Sequence, residues 1–342
     1  MIDAIWPRSA ERAHDGALVI GGCDVRDLAA EFGTPLWVVD EDDIRARAAE
    51  YKAAYDHGDH PFDVFYASKA FLTVSIARWV YEAGLGIDVA SGGELAVALR
   101  AGIPGDRIVM HGNNKSRAEI DSALQHGLHL LVCDSMDELE LVSEIARERG
   151  VVAPILLRLT VGVEAHTHEA ISTAHEDQKF GLSIANGAAR KAVEFAANDA
   201  HLDLMGFHSH IGSQIFDATG FEIAAHRVAL FIADMAKSLG FATRLLDLGG
   251  GMGIPYVAGD DPLDVAVMAE RLRGIVVREC DEAGISVPQL SVEPGRAIVG
   301  SSTVTLYEVG VVKSQQVSDD FARQYVAVDG GMSDNIRTAL YD

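Results

Sequence analysis

Residues 63–70 read DVFYASKA. Asp63 to Ala67 carry the apolar and aromatic character of a strand running inward, and a single lysine, Lys69, stands at its end between a serine and an alanine. A lysine at a strand end is ordinarily a solvated rim charge. The sharper reading is an amine kept for its chemistry, a Schiff-base nucleophile whose pKa is lowered by partial desolvation. The rest of the chain repeats the design. Short apolar runs end in polar or glycine-rich residues at GIDVAS (86–91), RIVMHG (107–112), HLLVCDS (129–135), PILLRLT (154–160), LMGFHSHIG (204–212), RLLDLGGGMG (244–253) and QLSVEPGRAIVG (289–300). Helix-like segments lie between them. LTVSIARWVYEAG and GGELAVALRAG each stop at a glycine, and SMDELELVSEIARERG follows a Ser/Asp start signal.

Strand and helix in alternation mean a parallel sheet. With LWVVD (36–40) set aside, the strand candidates number eight, and eight βα units over roughly 250 residues is the size of a (β/α)8 barrel. A doubly wound open sheet is the alternative. The barrel is preferred because polar groups follow most strands and not one switch point alone: Ser68 and Lys69, Asp88 and Ser91, His111 and Asn113, Asp134, Arg158, His208 and His210, Gly249 to Gly251, Glu293 and Arg296. The reading places an α/β, TIM-type barrel over residues 36–300. Its segment 162–198 contains EAHTHEAISTAHEDQKFG and is expected to form a lid over the mouth. Beyond Gly300, TVTLYEVGVVKSQ (303–315) and QYVAVDGGM (324–332) alternate without helical stretches. Residues 301–342 are therefore expected to begin a second, β-rich domain, with residues 1–35 contributing to it.

Composition narrows the function classes. Against 28 Lys and Arg stand 51 Asp and Glu, a net charge of −23, and no basic run offers phosphate backbones a patch. Nucleic acid is excluded as a partner. No stretch approaches the ~20 apolar residues of a membrane span, and the N-terminus lacks the apolar core of a signal peptide, so a cytoplasmic protein is expected. The three cysteines, Cys23, Cys133 and Cys280, have neither disulfide nor metal spacing.

Three constellations carry chemistry. In LDLGGGMG, Gly249, Gly250 and Gly251 follow a strand and expose backbone N–H groups, the means of cradling a phosphate. The spacing fits neither the Walker loop nor the dinucleotide fingerprint. In EPGR, Pro294 and Gly295 fix a turn that presents Glu293 and Arg296. Alone this would be an ordinary salt bridge. Beside a phosphate site the carboxylate can hold a ring nitrogen protonated and the guanidinium can clamp an anion. HSHIGSQ places His208 and His210 on one strand face at period two. A zinc pair would need further ligands that no HExxH or cysteine set supplies, so a histidine stacked on a planar cofactor is favoured, and no metal is expected. His166, His168 and His175 read as solvated loop residues. An amine, a phosphate cradle, a carboxylate for a pyridine nitrogen and an imidazole to stack are together what pyridoxal 5′-phosphate requires.

This set resembles the alanine-racemase-like group of pyridoxal phosphate enzymes and, within it, the diaminopimelate decarboxylases. FYASKA, DVASGGEL (88–95), HGNNKS (111–116), HTHEAISTAHEDQKFG (166–181), GFHSHIGSQI (206–215), LDLGGGMGI (246–254), EPGRAIVG (293–300) and VDGGMSDNIRTALY (328–341) are all similar to family stretches. The likeness spans nearly the whole chain, and the HTH…KFG and VDGGM…ALY stretches favour diaminopimelate over ornithine or arginine. The resemblance implies that Lys69 holds the cofactor. It implies that His210 stacks on the ring, Ser213 and Gly249 to Gly251 lie near the phosphate, and Glu293 pairs with the ring nitrogen. Arg296, Arg337 and Tyr341 would bind the small amino-acid substrate. It also implies a homodimer with active sites at the subunit interface, and loss of the carboxylate at the D-centre of meso-diaminopimelate to give L-lysine and CO2. Relatives would continue for roughly another hundred residues, including a cysteine proton donor, so the chain reads as C-terminally incomplete, with open strand edges expected. Three rival readings stand beside this one: a decarboxylase of another basic amino acid, a non-catalytic regulatory homologue, and, more remotely, a metal-dependent hydrolase using His208 and His210.

Overall fold

The computed structural model describes residues 5–162, 179–257, 259–337 and 340. The chain forms two compact units, residues 44–300 and residues 1–43 with 301–342.

The larger unit is a closed parallel barrel. Its strands are β1 (Phe62–Ala67), β2 (Gly86–Val89), β3 (Ile108–Met110), β4 (Leu130–Cys133), β5 (Ala153–Thr160), β6 (Leu202–His208), β7 (Leu245–Asp247) and β8 (Gln289–Val292). Each pairs with the next in parallel, and β8 pairs with β1 to close the ring. All eight coincide with the runs picked out in the sequence. Closure leaves no edge strand. It also explains why β2, β3 and β4 are buried at every residue rather than at alternate ones: helices cover the outside and side chains fill the inside, so both faces are buried. Phe65, Val109, Leu130, Val132, Leu156 and Leu245 form one interior cluster.

After the helix Glu41–Tyr55, which precedes the first barrel strand, the helices are α1 (Val74–Glu82), α2 (Gly92–Arg100), α3 (Arg117–Gln125), α4 (Met136–Arg149), α5 (Ala188–Asn198), α6 (Thr219–Leu239), α7 (Val265–Ala283) and the short α8 (Arg296–Val299). Their starts are written in the sequence. Ser91, Ser116 and Ser135 each accept a backbone N–H three residues on, and Ser116 with Glu119 completes a capping box. Each of these serines follows a barrel strand closely, so capping the helix also fixes the loop at the strand's C-terminal end.

Register decides which strand-end side chains share a level. Arg158 of β5 is opposite His208 of β6, His208 is opposite Asp247 of β7, and Asp247 is opposite Ser291 of β8. Four polar residues from four sequence motifs thus lie side by side at one end of the barrel, the end where such folds hold their sites.

The expected lid over 162–198 is only partly a loop. Leu182–Ser183 adds a short strand to the end of β5, and α5 follows. Residues 163–178, including His166, His168 and His175, lie outside the described residues.

In the smaller unit, Glu11–Arg12, Leu18–Ile20 and Cys23–Asp24 form a three-stranded antiparallel sheet. Asp24 caps the helix Val25–Phe32. The set-aside LWVVD run supplies Leu36–Val39, which pairs antiparallel with Thr303–Leu306. Val309–Ser318 and Phe321–Val328 make a hairpin, and no other strand among the described residues pairs with its outer edges. Val311, Phe321 and Tyr325 are among its exposed apolar side chains. No helix among the described residues is long and apolar enough to cross a membrane.

Candidate active site

Lys69 sits in the turn that leaves β1, with about half of its side-chain surface exposed (52%). Its Nζ donates to Asp88 Oδ2 at 2.9 Å, and Asp88, near the end of β2, is buried. Desolvation acts to lower the amine's pKa, as the sequence reading expected. The carboxylates of Asp88 and Glu293 and the hydrogen bond to Asp88 outweigh it, and the net shift is upward. The correction has a plain cause: the amine's neighbours are acids. Before the cofactor is bound Lys69 is an ammonium held by a carboxylate.

Glu293 follows β8 and is buried between two imidazoles. His111 Nε2 lies 2.5 Å from Glu293 Oε1, and His208 Nε2 lies 3.3 Å from Oε2. Neither approach is an aligned hydrogen bond, since Glu293 Oε1, His111 Nε2 and both His208 nitrogens have no aligned partner. Burial works against the Glu293 charge, but the two imidazoles more than offset it and hold its pKa well below the usual carboxylate range. The two histidines split in response. Burial lowers both, yet Asp88 and Glu293 raise His111 above its ordinary value, while His208 stays down at about 4. The proton therefore sits on His111 and Glu293 is a carboxylate.

His210 lies two residues past the end of β6, so it is not on the strand face with His208 as the period-two reading had it. Its Nδ1 accepts the Gly250 N–H at 3.2 Å, which puts the proton of a neutral ring on Nε2. Burial, then the charges of Arg158 and Lys69, keep that ring neutral.

The glycine run after β7 is shaped by close approach. Gly249 and Gly251 have φ of +69° and +104°, and a Cβ on Gly250 would fall inside the van der Waals shell of the Glu293 carbonyl oxygen. Asp247 braces the run: Oδ1 accepts from Gly249 N at 2.6 Å, and Oδ2 shares a hydrogen bond with Ser291 Oγ at 2.5 Å. Burial, with the Glu293 charge nearby, pushes the Asp247 carboxyl up to about 8. Arg296, first residue of α8, donates to Ser213 Oγ at 3.1 Å and to Tyr256 OH at 2.5 Å.

Residues 41–300 match the family model described as the pyridoxal binding domain of pyridoxal-dependent decarboxylases. The chain is 54% identical, over 98% of its length and 76% of the relative's, to a diaminopimelate decarboxylase of Mycobacterium tuberculosis. It is 44% identical, over 97% of its length and 75% of the relative's, to one of Bacillus subtilis. The chain belongs to the diaminopimelate decarboxylase family. A diaminopimelate decarboxylase from M. jannaschii, solved in complex with L-lysine, superposes with a TM-score of 0.89 at 33% identity, covering 98% of this chain and 76% of that one.

Pyridoxal 5′-phosphate is accordingly the cofactor of this decarboxylase, and the residues present fit it. The glycine cradle leaves room only for backbone. The buried Glu293 Oε1 lacks an aligned donor, which a protonated ring nitrogen would provide. The Lys69 amine stands within the same cluster, one carboxylate away from His111.

The structure gathers Lys69, His210, Ser213, Gly249, Gly250, Gly251, Glu293, Pro294, Gly295 and Arg296 in the barrel unit. Pro294 and Gly295 act through backbone: the Pro294 carbonyl accepts from Ala67 N at 3.1 Å, and a Cβ on Gly295 would meet the Ala67 carbonyl at 2.9 Å. Arg337 belongs to the smaller unit, and Tyr341 lies outside the described residues. The sequence reading gave no role to Asp88, His111 or Asp247 and did not single out Tyr256. Asp88 and His111 carried a signal, since both are polar residues at the ends of apolar strands. Tyr256 carried none beyond lying in the loop after the glycines.

Lys115 of the HGNNKS stretch has a structural duty. Its Nζ donates to Glu138 Oε1 at 2.5 Å, Val132 O at 2.7 Å and Gly112 O at 2.8 Å, using all three donors. It thereby ties the loop after His111 to β4 and the first turn of α4.

Proposed function

We propose that this chain decarboxylates meso-2,6-diaminopimelate to L-lysine and CO2. The observation that carries the reading is the meeting of the Lys69 amine, the ionised Glu293 and the glycine cradle at one end of the barrel. It is supported by curated relatives named for this activity and by a neighbouring structure that holds L-lysine.

Pyridoxal phosphate supplies an aldehyde for an amine and a ring that takes up the electron pair as the Cα–carboxylate bond breaks. The chain's residues supply the rest. Lys69 Nζ would be the amine that anchors the cofactor, and Asp88 Oδ2, 2.9 Å away, orients it. Glu293, kept charged by His111, holds a proton on the ring nitrogen, which makes the ring a better electron sink. His210, neutral and protonated at Nε2, would stack on the ring, with its Nδ1 fixed by the Gly250 N–H. Ser213 and the backbone of Gly249 to Gly251 bind the phosphate. By the family resemblance Arg296, Arg337 and Tyr341 would bind the substrate; Arg296 is pre-oriented by Ser213 and Tyr256, and a planar guanidinium matches a carboxylate with two parallel hydrogen bonds. Cys133 is buried within β4, and burial pushes its thiol far up, so it does not return the proton to Cα.

The chain works as a homodimer in the cytoplasm under this proposal. The family resemblance and the exposed apolar side chains of the 309–328 hairpin support the dimer, and a sedimentation mass of twice the monomer checks it.

The deciding experiment supplies pyridoxal phosphate and follows product from meso-diaminopimelate, ornithine and arginine in parallel. L-Lysine formed with the highest kcat/KM sustains the proposal. Faster turnover of ornithine or arginine moves the substrate to the basic amino acids. Bound cofactor with no turnover of any of the three favours a regulatory homologue.

A further inference from the structure

Glu293 has an imidazole against each of its oxygens, and one of these, His111, reaches a second carboxylate as well. His111 Nε2 is 2.5 Å from Glu293 Oε1 and 3.8 Å from Asp88 Oδ1, while the other oxygen of Asp88 holds Lys69 Nζ at 2.9 Å. We propose that His111 is a positioning residue that couples the two ends of the cofactor site, holding Glu293 as a carboxylate and joining it through Asp88 to Lys69.

The argument is one of charge balance in a buried place. Asp88 and Glu293 are 1% and 3% exposed. Two carboxylates this deep cannot both stay ionised without compensating cations. Lys69 compensates Asp88. A cation on His111, between the two, compensates Glu293, and the sequence ammonium, carboxylate, imidazolium, carboxylate, neutral imidazole then alternates in sign from Lys69 to His208. The charged and titratable groups that face His111 are Asp88 from β2, Glu293 from β8, Lys69 from the turn after β1, Asp247 from β7, and His208, whose ring centroid is 4.8 Å away. Desolvation opposes the cation and the Asp88 and Glu293 carboxylates favour it, with a net upward shift. Arg158, more distant, has its own carboxylate in Asp134 at 3.9 Å.

The inference rests on reading Lys69 and Glu293 as the groups that face the cofactor, and its first test does not involve the cofactor. In the ligand-free protein, the imidazole nitrogens are titrated by NMR, with His111 assigned from the spectrum of His111→Gln or, should that variant not fold, from its contact with the His208 ring. His111 should titrate above the ordinary histidine range, and Glu293→Gln and Asp88→Asn should each lower its midpoint. A midpoint at or below the ordinary value, or one that neither substitution moves, overturns the proposal, as does a metal ion bound stoichiometrically by His111 and His208 in place of the proton. The second test measures pyridoxal phosphate affinity in a double-mutant cycle. His111→Gln should weaken binding about tenfold in the native background and less than about twofold when Glu293 is already Gln. Equal factors in both backgrounds would show that His111 acts independently of Glu293 and refute the coupling. If neither Lys69 nor Glu293 proved to face the cofactor, affinity would ignore both substitutions while the histidine titration kept its dependence on Glu293, so the two failures are separable.

Discussion

Replacing Asp247 by asparagine should stabilise the ligand-free protein, and the gain should grow with pH. Asp247 is buried, and its carboxyl is raised to about 8 in the folded state by burial and by the Glu293 charge. In the unfolded chain it returns to ~3.9. A group whose folded pKa is raised contributes stability that is complete below its unfolded pKa and is lost as pH climbs through its folded value. Between pH ~4 and ~8 the folded protein therefore binds one proton that the unfolded chain has released, and stability falls by ~1.4 kcal/mol per pH unit from this group alone. Asparagine keeps the geometry without the proton. Its Oδ1 can accept from Gly249 N, now bonded at 2.6 Å, and its Nδ2 can donate to Ser291 Oγ, now 2.5 Å away. Other groups titrate in both proteins and largely drop out of the difference. From pH 5 to pH 7 the advantage of the variant should widen by about 3 kcal/mol. Urea midpoints and slopes at pH 5, 6 and 7 measure it. Stability curves that run parallel across this range would mean that Asp247 is ionised throughout, and the account of the brace beneath the glycine cradle would be wrong.

Other substitutions test other parts. Gly250→Ala places a methyl against the Glu293 carbonyl oxygen, and the forced shift, ~1–3 kcal/mol, should weaken pyridoxal phosphate binding about tenfold or more; unchanged affinity in a dialysis titration would count against the cradle. Lys115→Met leaves Glu138 buried without its cation and should destabilise the fold by ~3–5 kcal/mol in urea, with Glu138→Leu added to it restoring much of the loss. Lys69→Ala should abolish the borohydride-trapped adduct with pyridoxal phosphate, and an adduct that persists would assign the anchor to another lysine. Arg337→Ala should weaken diaminopimelate binding at least tenfold and leave the cofactor bound; equal substrate affinity would remove Arg337 from the site.

The barrel was legible because its determinants are local and repeated. Continuous apolar runs such as IVM and LLVC announce strands buried on both faces, and serine caps such as Ser135 mark where the next helix begins. The glycine run was legible as a place of close backbone approach for a related reason, since backbone that must approach other backbone excludes a Cβ whatever surrounds it. The pKa of Lys69 was not legible. Its direction depends on how near Asp88 comes to the amine, and sequence spacing gives no measure of that distance.

The same limit explains why His111 received no role from the sequence. A strand-end histidine has two ordinary fates, solvated at the rim or packed in the core, and its own motif, HGNNKS, decides between neither. The deciding fact is ring closure. β8 returns to pair with β1, which brings Glu293 to the side of the barrel where Lys69 and Asp88 already stand. His111, on the next strand over, then meets both carboxylates at once. Any one of these groups could be replaced in sequence by a similar polar residue without disturbing the apolar pattern that builds the barrel. What constrains them is one another's charge: an acid at 293 without a cation at 111, or an acid at 88 without the lysine at 69, would leave a buried charge with nothing to answer it. The fold is therefore written in the apolar residues of single strands, and the site in pairings that exist only after the ring has closed.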